Sequence, residues 1–283
     1  MLNPPSTLNC KGQLLDIRRP CVMGILNVTP DSFFDGGRYL QAHTILQQIE
    51  KMKRAGASII DIGGMSSRPG ASLISEAEEL SRVLPVIEQI QQHFPDTILS
   101  VDTFRAKVAK ESVAAGASMI NDISAGRLDE ELLATIAQLD VPYILMHMQG
   151  QPQTMQDQPQ YENVVVEVLD FFIEKVGKLK TLGLEDIILD VGFGFGKSID
   201  HNYELLKNLG GFRILDLPIM AGLSRKSMIF KVLQTTAEKA LNGTTALHMV
   251  ALQNGAKILR AHDVEEAMQT IQLWETLERQ PLI

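Results

Sequence analysis

The chain has 283 residues, of which 45% are hydrophobic and 21% are charged, and this composition excludes a disordered, collagen-like or coiled-coil protein. The formal net charge of −8 argues against a surface that binds nucleic acid through its phosphates. The sequence has no run of about 18 consecutive apolar residues, so it predicts no membrane-spanning helix and no membrane partner. At roughly 100–200 residues per domain, the length allows one large domain or two small ones.

The N-terminal segment gives an expectation about the cellular compartment. Residues 1–12 have neither the basic region nor the apolar region of a secretory signal. Two cysteines, Cys10 and Cys21, are too few for a disulfide framework. We therefore expect two free thiols in a reducing cytoplasm.

A repeated pattern along the chain predicts its strands. A helical stretch ends at a glycine, a short apolar run follows, and a polar residue closes the run, as where Gly56 precedes Ser58-Ile59-Ile60 and then Asp61. A glycine past the end of a helix takes the left-handed conformation, and the same joint recurs at Gly116, Gly183 and Gly255. With four further apolar runs, the predicted strands are 22–26, 58–60, 97–101, 118–120, 141–146, 186–189, 218–221 and 257–259.

Amphipathic stretches between these runs predict the helices. They are 41–55, 75–93, 104–115, 129–139, 162–181, 201–209, 225–254 in two pieces, and 263–278. Ser75 with Glu78, and Asp263 with Glu266, have the spacing of a capping box. Eight β-α units without a linker predict an α/β fold, a single-domain (β/α)8 TIM barrel over residues 1–283 with a short extension over about 1–19. A doubly wound open sheet is the alternative.

Polar residues stand at the ends of nearly all the predicted strands. The strand-end residues are Asn27, Asp61, Asp102, Asn121, His147, Asp190, Gly222 and Arg260. In a barrel of this kind the active site lies at the C-terminal ends of the strands, so we expect these side chains to converge on one rim. The alternative is that each one caps the helix that follows it.

The loops after the strands carry further candidate features. The segments 29–37, 63–71 and 148–155 are longer than a connection needs, which predicts lids or substrate loops. The run 191–198 resembles a phosphate-binding loop, but Val191 stands where that motif needs glycine, and Lys197 replaces the third glycine of the dinucleotide motif. We expect its glycines to let the backbone approach a flat group beside Phe195.

Two clusters of cationic residues indicate anion binding. Ser224, as the N-cap of a helix that carries Arg225 and Lys226, predicts an anion site at that helix N-terminus. Arg260 and His262 lie two apart, on one side of an extended segment. Together with Arg68 they could bind phosphate oxygens, because arginine donates two parallel hydrogen bonds to such groups.

Asp102, Asp190 and Asn121 allow two interpretations. The two carboxylates could be the acid and base of a glycosidase. They could instead accept N–H pairs from a heterocycle with an amidine-like edge, such as a 2-aminopyrimidinone, with Asn121 as donor and acceptor and Lys226 as a cationic donor. Their spacing does not choose between the two.

Taken together, these segments resemble the dihydropteroate synthase family. The matching segments are 24–33, 61–64 with 67–70, 100–103, 120–123, 145–150, 192–197, 222–227 and 260–263. The resemblance runs in order from about residue 20 to 275. It implies a pterin-binding barrel that joins dihydropterin pyrophosphate to p-aminobenzoate with Mg²⁺ as cofactor, forms pyrophosphate and dihydropteroate, and is commonly a homodimer.

The resemblance also implies roles for individual residues. The pterin pocket is Asp102, Asn121, Asp190 and Lys226; the magnesium contact is Asn27; and the pyrophosphate contacts are Arg68, Arg260 and His262. The residues around p-aminobenzoate are Phe33, Ser67, Pro69, Phe195, Arg225 and Ser227, and Met146, Gly222 and Ser224 complete the substrate-binding set. Asp102, Asp190, Lys226, Arg260 and His262 are the implied catalytic residues. The chain departs from the family pattern at Met65, Ser67 and Val191.

Two other functions remain as alternatives at this point. A pterin-binding methyltransferase would use methyltetrahydrofolate and a corrinoid partner, and Arg68, Arg260 and His262 argue against it because it binds no pyrophosphate. A pterin-binding protein without turnover is the non-enzymatic alternative.

Overall fold

The computed structural model describes residues 6–28, 38–65, 73–151, 155 and 159–281, and within them the chain forms one closed eight-stranded barrel preceded by a two-stranded hairpin. The strands are β1 Thr7–Cys10, β2 Gln13–Asp16, β3 Cys21–Asn27, β4 Ile59–Gly63, β5 Ile98–Asp102, β6 Met119–Asp122, β7 Tyr143–Met146, β8 Ile187–Asp190, β9 Ile219–Ala221 and β10 Ala256–Ala261. The helices are α1 Arg38–Arg54, α2 Glu76–His93, α3 Ala106–Ala115, α4 Leu132–Leu139, α5 Val164–Thr181, α6 Ile199–Lys207, α7 Ser227–Phe230, α8 Leu241–Gln253 and α9 Val264–Glu278, with a 3-10 helix over Leu209–Leu215.

Closure of the sheet confirms the predicted TIM barrel. Strands β3 to β10 pair in parallel in sequence order, and β10 returns to pair with β3 through Arg260 opposite Met23 and Ala261 opposite Gly24. The open doubly wound sheet is therefore wrong. The predicted α-to-β joints are also confirmed, because Gly56, Gly116, Gly183 and Gly255 all have positive φ angles.

Alternation along the strands separates two apolar cores. In β3, Val22 packs outward in the core shared with the helices, whereas Met23 packs inward with one residue from each of the other seven barrel strands. The inward residues are Met23, Ile59, Ile98, Met119, Ile144, Ile188, Met220 and Ile258. Because side chains alternate with a period of two, the residues two and four positions further along each strand also face the barrel axis.

The hairpin β1–β2 closes the N-terminal end of the barrel. Leu8, Cys10, Leu15 and Ile17 are buried in the same cluster as the inward layer. A two-residue turn joins the strands, and Lys11 and Gly12 both have positive φ, as a type I′ turn requires. The sequence predicts only a short extension here, because the apolar alternation before the turn does not continue after it, where Leu14 and Leu15 are adjacent.

We expect Leu8→Ala to lower the free energy of unfolding by roughly 2–5 kcal/mol, because it leaves a cavity under the inward layer of the barrel. Leu8 is fully buried, whereas Leu14 in the same hairpin is 67% exposed. Urea unfolding of both alanine variants measures the difference. Equal, small effects of Leu8→Ala and Leu14→Ala would contradict a sealing role for the hairpin.

One of the two predicted capping boxes is present in part. Ser75 is the N-cap of α2, and its Oγ accepts a hydrogen bond of 3.2 Å from the backbone N–H of Glu78. Asp263 is the N-cap residue of α9, but its side chain makes no capping hydrogen bond. The prediction for Asp263 is therefore wrong, because its carboxylate instead forms an ion pair with Arg225.

Candidate active site

Inward-facing polar residues form a layer at the C-terminal rim of the barrel. Asn27, Gly63, Asp102 and Asn121 stand opposite one another on the neighbouring strands β3 to β6. Asp190 ends β8, and Arg260 lies on β10 two residues beyond the inward Ile258. The period-two alternation thus gathers these five polar side chains at one mouth, as the sequence predicted.

Arg260 joins two carboxylates at this rim. Its Nε donates to Oδ2 of Asp61 over 2.7 Å, and its Nη2 donates to Oδ2 of Asp102 over 3.0 Å. Nδ2 of Asn121 donates to the same Oδ2 of Asp61 over 3.1 Å. Asp61 is a functional candidate that the predicted site omitted, although it closes a predicted strand; in the structure β4 continues to Gly63, so Asp61 lies within the strand and below the rim.

The protonation of Asp102 is unusual. Burial raises the pKa of its carboxyl to about 7, the positive charge of Arg260 lowers that pKa, and the negative charge of Asp61 raises it. Asp102 thus changes its charge near neutral pH, which is a property of groups at functional sites.

Asp190 and Lys226 lie on the opposite side of the rim, on either side of Gly222. A Cβ atom at Gly222 would lie 3.7 Å from Oδ2 of Asp190 and 3.8 Å from Nζ of Lys226. Oδ1 of Asp190 accepts a hydrogen bond of 2.8 Å from the backbone N–H of Gly192. Glycine at position 222 therefore leaves space between an acceptor and a cationic donor.

The ammonium group of Lys226 is held by the glycine-rich segment after β8. It donates a hydrogen bond to the carbonyl oxygen of Phe193 and lies 4.7 Å from the centroid of the Phe195 ring. Burial lowers the pKa of Lys226 to about 8, and the negative charge of Asp190 opposes this shift. The result is a buried cationic donor next to an aromatic face.

An apolar wall borders the polar rim. Ile123, Met146, Met148 and Met155 form a small buried cluster, and Phe195 packs against it. Met146 was a predicted substrate-binding residue, and its register opposite Asp190 places it next to the acceptor side of the rim. A flat ring with polar edges matches this combination of an apolar wall and convergent polar groups.

The glycines after β8 do not all face an open pocket. A Cβ at Gly192 would come within 1.9 Å of the carbonyl oxygen of His147, and one at Gly196 within 2.3 Å of the carbonyl oxygen of Gln149. These glycines let the segment pack against the loop after β7, so the expected approach to a flat group is wrong for both. Gly194 differs, since its nearest neighbour would be Cδ of Lys226 at 3.5 Å.

His147 does not join the rim, which corrects the expectation that every polar strand end converges there. Its Nδ1 lies 2.9 Å from Nζ of the buried Lys197, and its ring packs edge-on against Phe171, with the centroids 4.8 Å apart. The reason is alternation, because Met146 faces inward and the next residue must face outward.

The predicted anion site at Ser224 has a different structure. The helix α7 begins at Ser227 with Lys226 as its N-cap, so the prediction that Ser224 caps it is wrong, and the anion site stays a prediction. Ser224 Oγ instead accepts a hydrogen bond of 3.2 Å from the backbone N–H of His262. Arg225, in the left-handed region, directs its guanidinium to Asp263 with two hydrogen bonds of 2.8 Å.

Other predicted residues differ in how far the structure describes them. Phe33, Ser67, Arg68 and Pro69 lie outside the described residues. Asn27 is half-buried, and its Oδ1 would lie 3.4 Å from a Cβ at Gly63.

Across the part of the chain that the structure describes, no group of three His, Cys, Asp or Glu side chains is arranged to hold a metal ion. Among those same residues, no helix is long and apolar enough to cross a membrane.

A closed parallel barrel with charged and aromatic groups at its C-terminal rim defines an enzyme of the TIM-barrel class. Residues 23–262 match the family model described as pterin binding enzyme. The dihydropteroate synthase of Haemophilus influenzae is 46% identical over 270 residues, which covers 95% of this chain and 98% of that relative.

Two solved structures are similarly close. The dihydropteroate synthase of Xanthomonas albilineans with 4-aminobenzoic acid has a TM-score of 0.91 and 41% identity, and the match covers 98% of this chain and 99% of the Xanthomonas chain. The same enzyme in complex with 7,8-dihydropteroate has a TM-score of 0.87 and 38% identity, and the match covers 97% of this chain and 100% of the Xanthomonas chain. The chain belongs to the pterin-binding enzymes and, within them, to the dihydropteroate synthase family of transferases.

Two of the three departures from the family pattern fall on buried positions, and the third, Ser67, lies outside the described residues. Met65, which replaces an acidic residue of the usual second loop, is 8% exposed, and Val191 is fully buried in the core shared with the helices. Apolar side chains are suited to both environments, so neither residue adds an uncompensated polar group to the interior.

Proposed function

We propose that the protein condenses (7,8-dihydropterin-6-yl)methyl diphosphate with 4-aminobenzoate and releases 7,8-dihydropteroate and pyrophosphate. The observation that carries this proposal is the convergence of Asp102, Asn121, Asp190 and Lys226 on one rim beside an apolar wall. The complexes of the Xanthomonas albilineans enzyme with 4-aminobenzoic acid and with 7,8-dihydropteroate support the same substrate classes.

The polar rim matches the edges of a pterin. A pterin presents N–H donors along its 2-amino edge and a carbonyl and ring nitrogens as acceptors. Carboxylates accept only and an ammonium group donates only, so Asp190 suits the donor edge and Lys226 suits an acceptor. Met146 and Phe195 would cover the ring faces.

The side of the rim that carries Arg260 and His262 suits the diphosphate group of the substrate. Arg260 and His262 lie on the same strand end, and guanidinium and imidazolium groups bind phosphate oxygens. We propose that Arg68, which lies outside the described residues, completes this set. When it leaves, the diphosphate oxygen takes the electron pair of its bond to the methylene carbon, and these cations stabilise the developing negative charge.

Asn27 fits a magnesium ion that the diphosphate carries. Mg²⁺ prefers hard oxygen ligands and is usually held by one or two protein groups together with substrate phosphates, so a single amide oxygen at the rim is a suitable donor. When bound, the ion would supply positive charge to the leaving diphosphate. Asn27 would orient that end of the substrate towards Arg260.

The condensation follows from the charges around the pterin. Loss of the diphosphate leaves a cation-like methylene whose positive charge spreads into the electron-rich ring, and the carboxylates of Asp102 and Asp190 stabilise that charge. The lone pair of the amine nitrogen of 4-aminobenzoate then forms the bond to the methylene carbon, and the resulting ammonium group loses its proton to water. No strong base is needed, because an aromatic amine is unprotonated at neutral pH. Phe33, Ser67, Pro69, Phe195, Arg225 and Ser227 are the residues we propose around 4-aminobenzoate.

One assay tests the proposed function against its alternatives. The purified protein is supplied with the dihydropterin diphosphate, Mg²⁺ and 4-aminobenzoate, and pyrophosphate and dihydropteroate are measured. We expect pyrophosphate release that chelation of Mg²⁺ abolishes, and dihydropteroate formation that requires 4-aminobenzoate. Pyrophosphate release no faster than the uncatalysed rate would overturn the proposal, and pterin binding without release would favour a binding protein.

The pH dependence of the reaction should report Asp102. Its pKa is about 7, and only the ionised carboxylate stabilises a cationic pterin, so kcat/KM should fall as the pH drops below about 7. The measurement is the pH profile of kcat/KM between about pH 5 and 9. In the Asp102→Asn variant the acidic limb should disappear along with most of the activity. A wild-type profile that stays flat down to about pH 5 would contradict this role.

We also propose a homodimer in the cytoplasm. Leu273 and Leu277 lie one turn apart on α9 and are 66% and 54% exposed, an apolar stripe suited to a second copy of the chain. The buried free thiols of Cys10 and Cys21 agree with a reducing compartment. Light scattering should give twice the chain mass, and Leu273→Glu with Leu277→Glu should give a monomer.

A further inference from the structure

We infer that Asp61 is a positioning residue for the reaction, which holds the guanidinium of Arg260 at the rim and prevents it from closing onto Asp102 alone. The inference rests on the proposed function. It adds a residue that the predicted site did not contain and that does not itself reach the substrate.

The register of the strands places Asp61 below the rim. Asp61 stands opposite Ile25 on β3 and Ser100 on β5, whereas Gly63, two residues later, stands opposite Asn27 and Asp102. Asp61 therefore belongs to the inward layer directly beneath the rim. It is fully buried, so it acts on the substrate only through the side chains above it.

The carboxylate of Asp61 is committed to one orientation. Its Oδ2 accepts hydrogen bonds from Nε of Arg260 over 2.7 Å and from Nδ2 of Asn121 over 3.1 Å. Its Oδ1 is buried and has no hydrogen-bond partner among the described residues. A buried carboxylate with an unsatisfied oxygen is costly, and a barrel interior tolerates it only where its charge has a use.

The guanidinium group of Arg260 binds two different carboxylates, and this explains why the charge of Asp61 is needed. Nε binds Asp61 from below, and Nη2 binds Asp102 at the rim, so two carboxylates share one cation. If Asp61 were uncharged, Arg260 would pair with Asp102 alone, and both groups would be less available to the substrate. With Asp61 as the anchor, Arg260 can exchange its bond to Asp102 for one to the diphosphate without leaving the rim.

The test is a double-mutant cycle between Asp61→Asn and Arg260→Gln. Asp61→Asn is expected to lower kcat about 10- to 100-fold, the usual effect of losing a partner that orients a binding group. Arg260→Gln is expected to lower it at least as much. The double variant should be no slower than Arg260→Gln alone, because the amide oxygen left by Asp61→Asn can still accept the hydrogen bond from Asn121, and only the charge that holds Arg260 is lost. Independent, multiplying effects would overturn the inference.

The pH profile separates positioning from a general effect on folding. The charged groups that interact electrostatically with Asp102 are Arg260 on β10, Asp61 on β4, Glu79 on α2, Asp122 on β6 and Lys226 after β9. Removing the charge of Asp61 lowers the pKa of Asp102, so the acidic limb of kcat/KM should move to lower pH in Asp61→Asn. An unmoved limb would contradict the arrangement.

Asp122→Asn is the matched control. Asp122 is a fully buried carboxylate on β6, but it faces outward and accepts hydrogen bonds from the hydroxyl of Tyr143 and the backbone N–H of Ser124. Its replacement should lower the Tm. Its effect on kcat should multiply with that of Arg260→Gln in the double variant, and it should move the acidic limb of kcat/KM less than Asp61→Asn does.

The activity of the wild-type protein distinguishes a failure of the proposed function from a failure of the role inferred for Asp61. If the wild-type protein releases no pyrophosphate, the proposed function fails. If it does and the double variant is more than tenfold slower than Arg260→Gln, only the role of Asp61 fails. Should Asp61→Asn not fold, the comparison of the double variant with Arg260→Gln still decides, because the double variant contains no unpaired charge from this pair.

Discussion

Replacing Lys226 with alanine is expected to lower kcat/KM for the pterin substrate by about 10²–10³-fold while the fold remains intact, the usual effect of removing a preorganised donor from an active site. Lys226 supplies the cationic donor that the carbonyl of Phe193 and the ring of Phe195 hold at the rim. Steady-state pyrophosphate release measures the loss, and circular dichroism checks the fold.

Lys231→Ala is the matched control for that variant. Lys231 lies at the end of α7, five residues along the chain, and is exposed. Its loss removes the same charge from the same segment and should leave kcat/KM unchanged. Wild-type rates in Lys226→Ala, or similar losses in both variants, would show that the donor is assigned to the wrong residue.

Asp190→Asn is expected to have an effect of comparable size, about 10²–10⁴-fold in kcat/KM. Each hydrogen bond from a pterin N–H to a charged carboxylate contributes roughly 1.5–3 kcal/mol, and an amide replaces one acceptor by a donor that faces the same N–H edge. Oδ1 of Asp190 also accepts from Gly192, so the variant disturbs the segment that holds Lys226. Pterin binding by calorimetry should weaken in parallel with turnover.

The control for this variant is Asp186→Asn, at the opposite end of β8. Asp186 accepts a hydrogen bond of 2.7 Å from the backbone N–H of Asn9 in the hairpin β1–β2. Its replacement should lower the stability modestly and leave kcat/KM close to wild type. If Asp186→Asn impaired turnover as much as Asp190→Asn, the loss would reflect general destabilisation of β8.

The two ends of the barrel thus have separate tasks. The N-terminal end is closed by the apolar hairpin and the inward layer that begins with Met23. The C-terminal end carries the polar rim, where Arg260 joins Asp102 at the rim to Asp61 in the layer beneath it. Changes at the first end should therefore appear in unfolding experiments, and changes at the second in kinetics.

The sequence predicted the barrel strands closely because each is a short apolar run with clear ends. Every predicted run overlaps the barrel strand that the structure contains, and the glycines that precede four of them have the expected positive φ. Side-chain direction was harder to predict. A polar residue just past a strand faces either the mouth or the helices, and His147 faces outward because its strand ends one residue earlier, at the inward Met146.

The amino-acid sequence by itself determined the order of strands and helices, the family, and the identity of the polar residues at the rim. Only the tertiary structure decided which of those residues are partners. Arg260 binds Asp61 and Asp102, which are 199 and 158 positions away along the chain, and Arg225 binds Asp263 where a helix cap was predicted. Local patterns fix local conformation, but the pairing of charges depends on the register between strands and on barrel closure, which no single segment specifies.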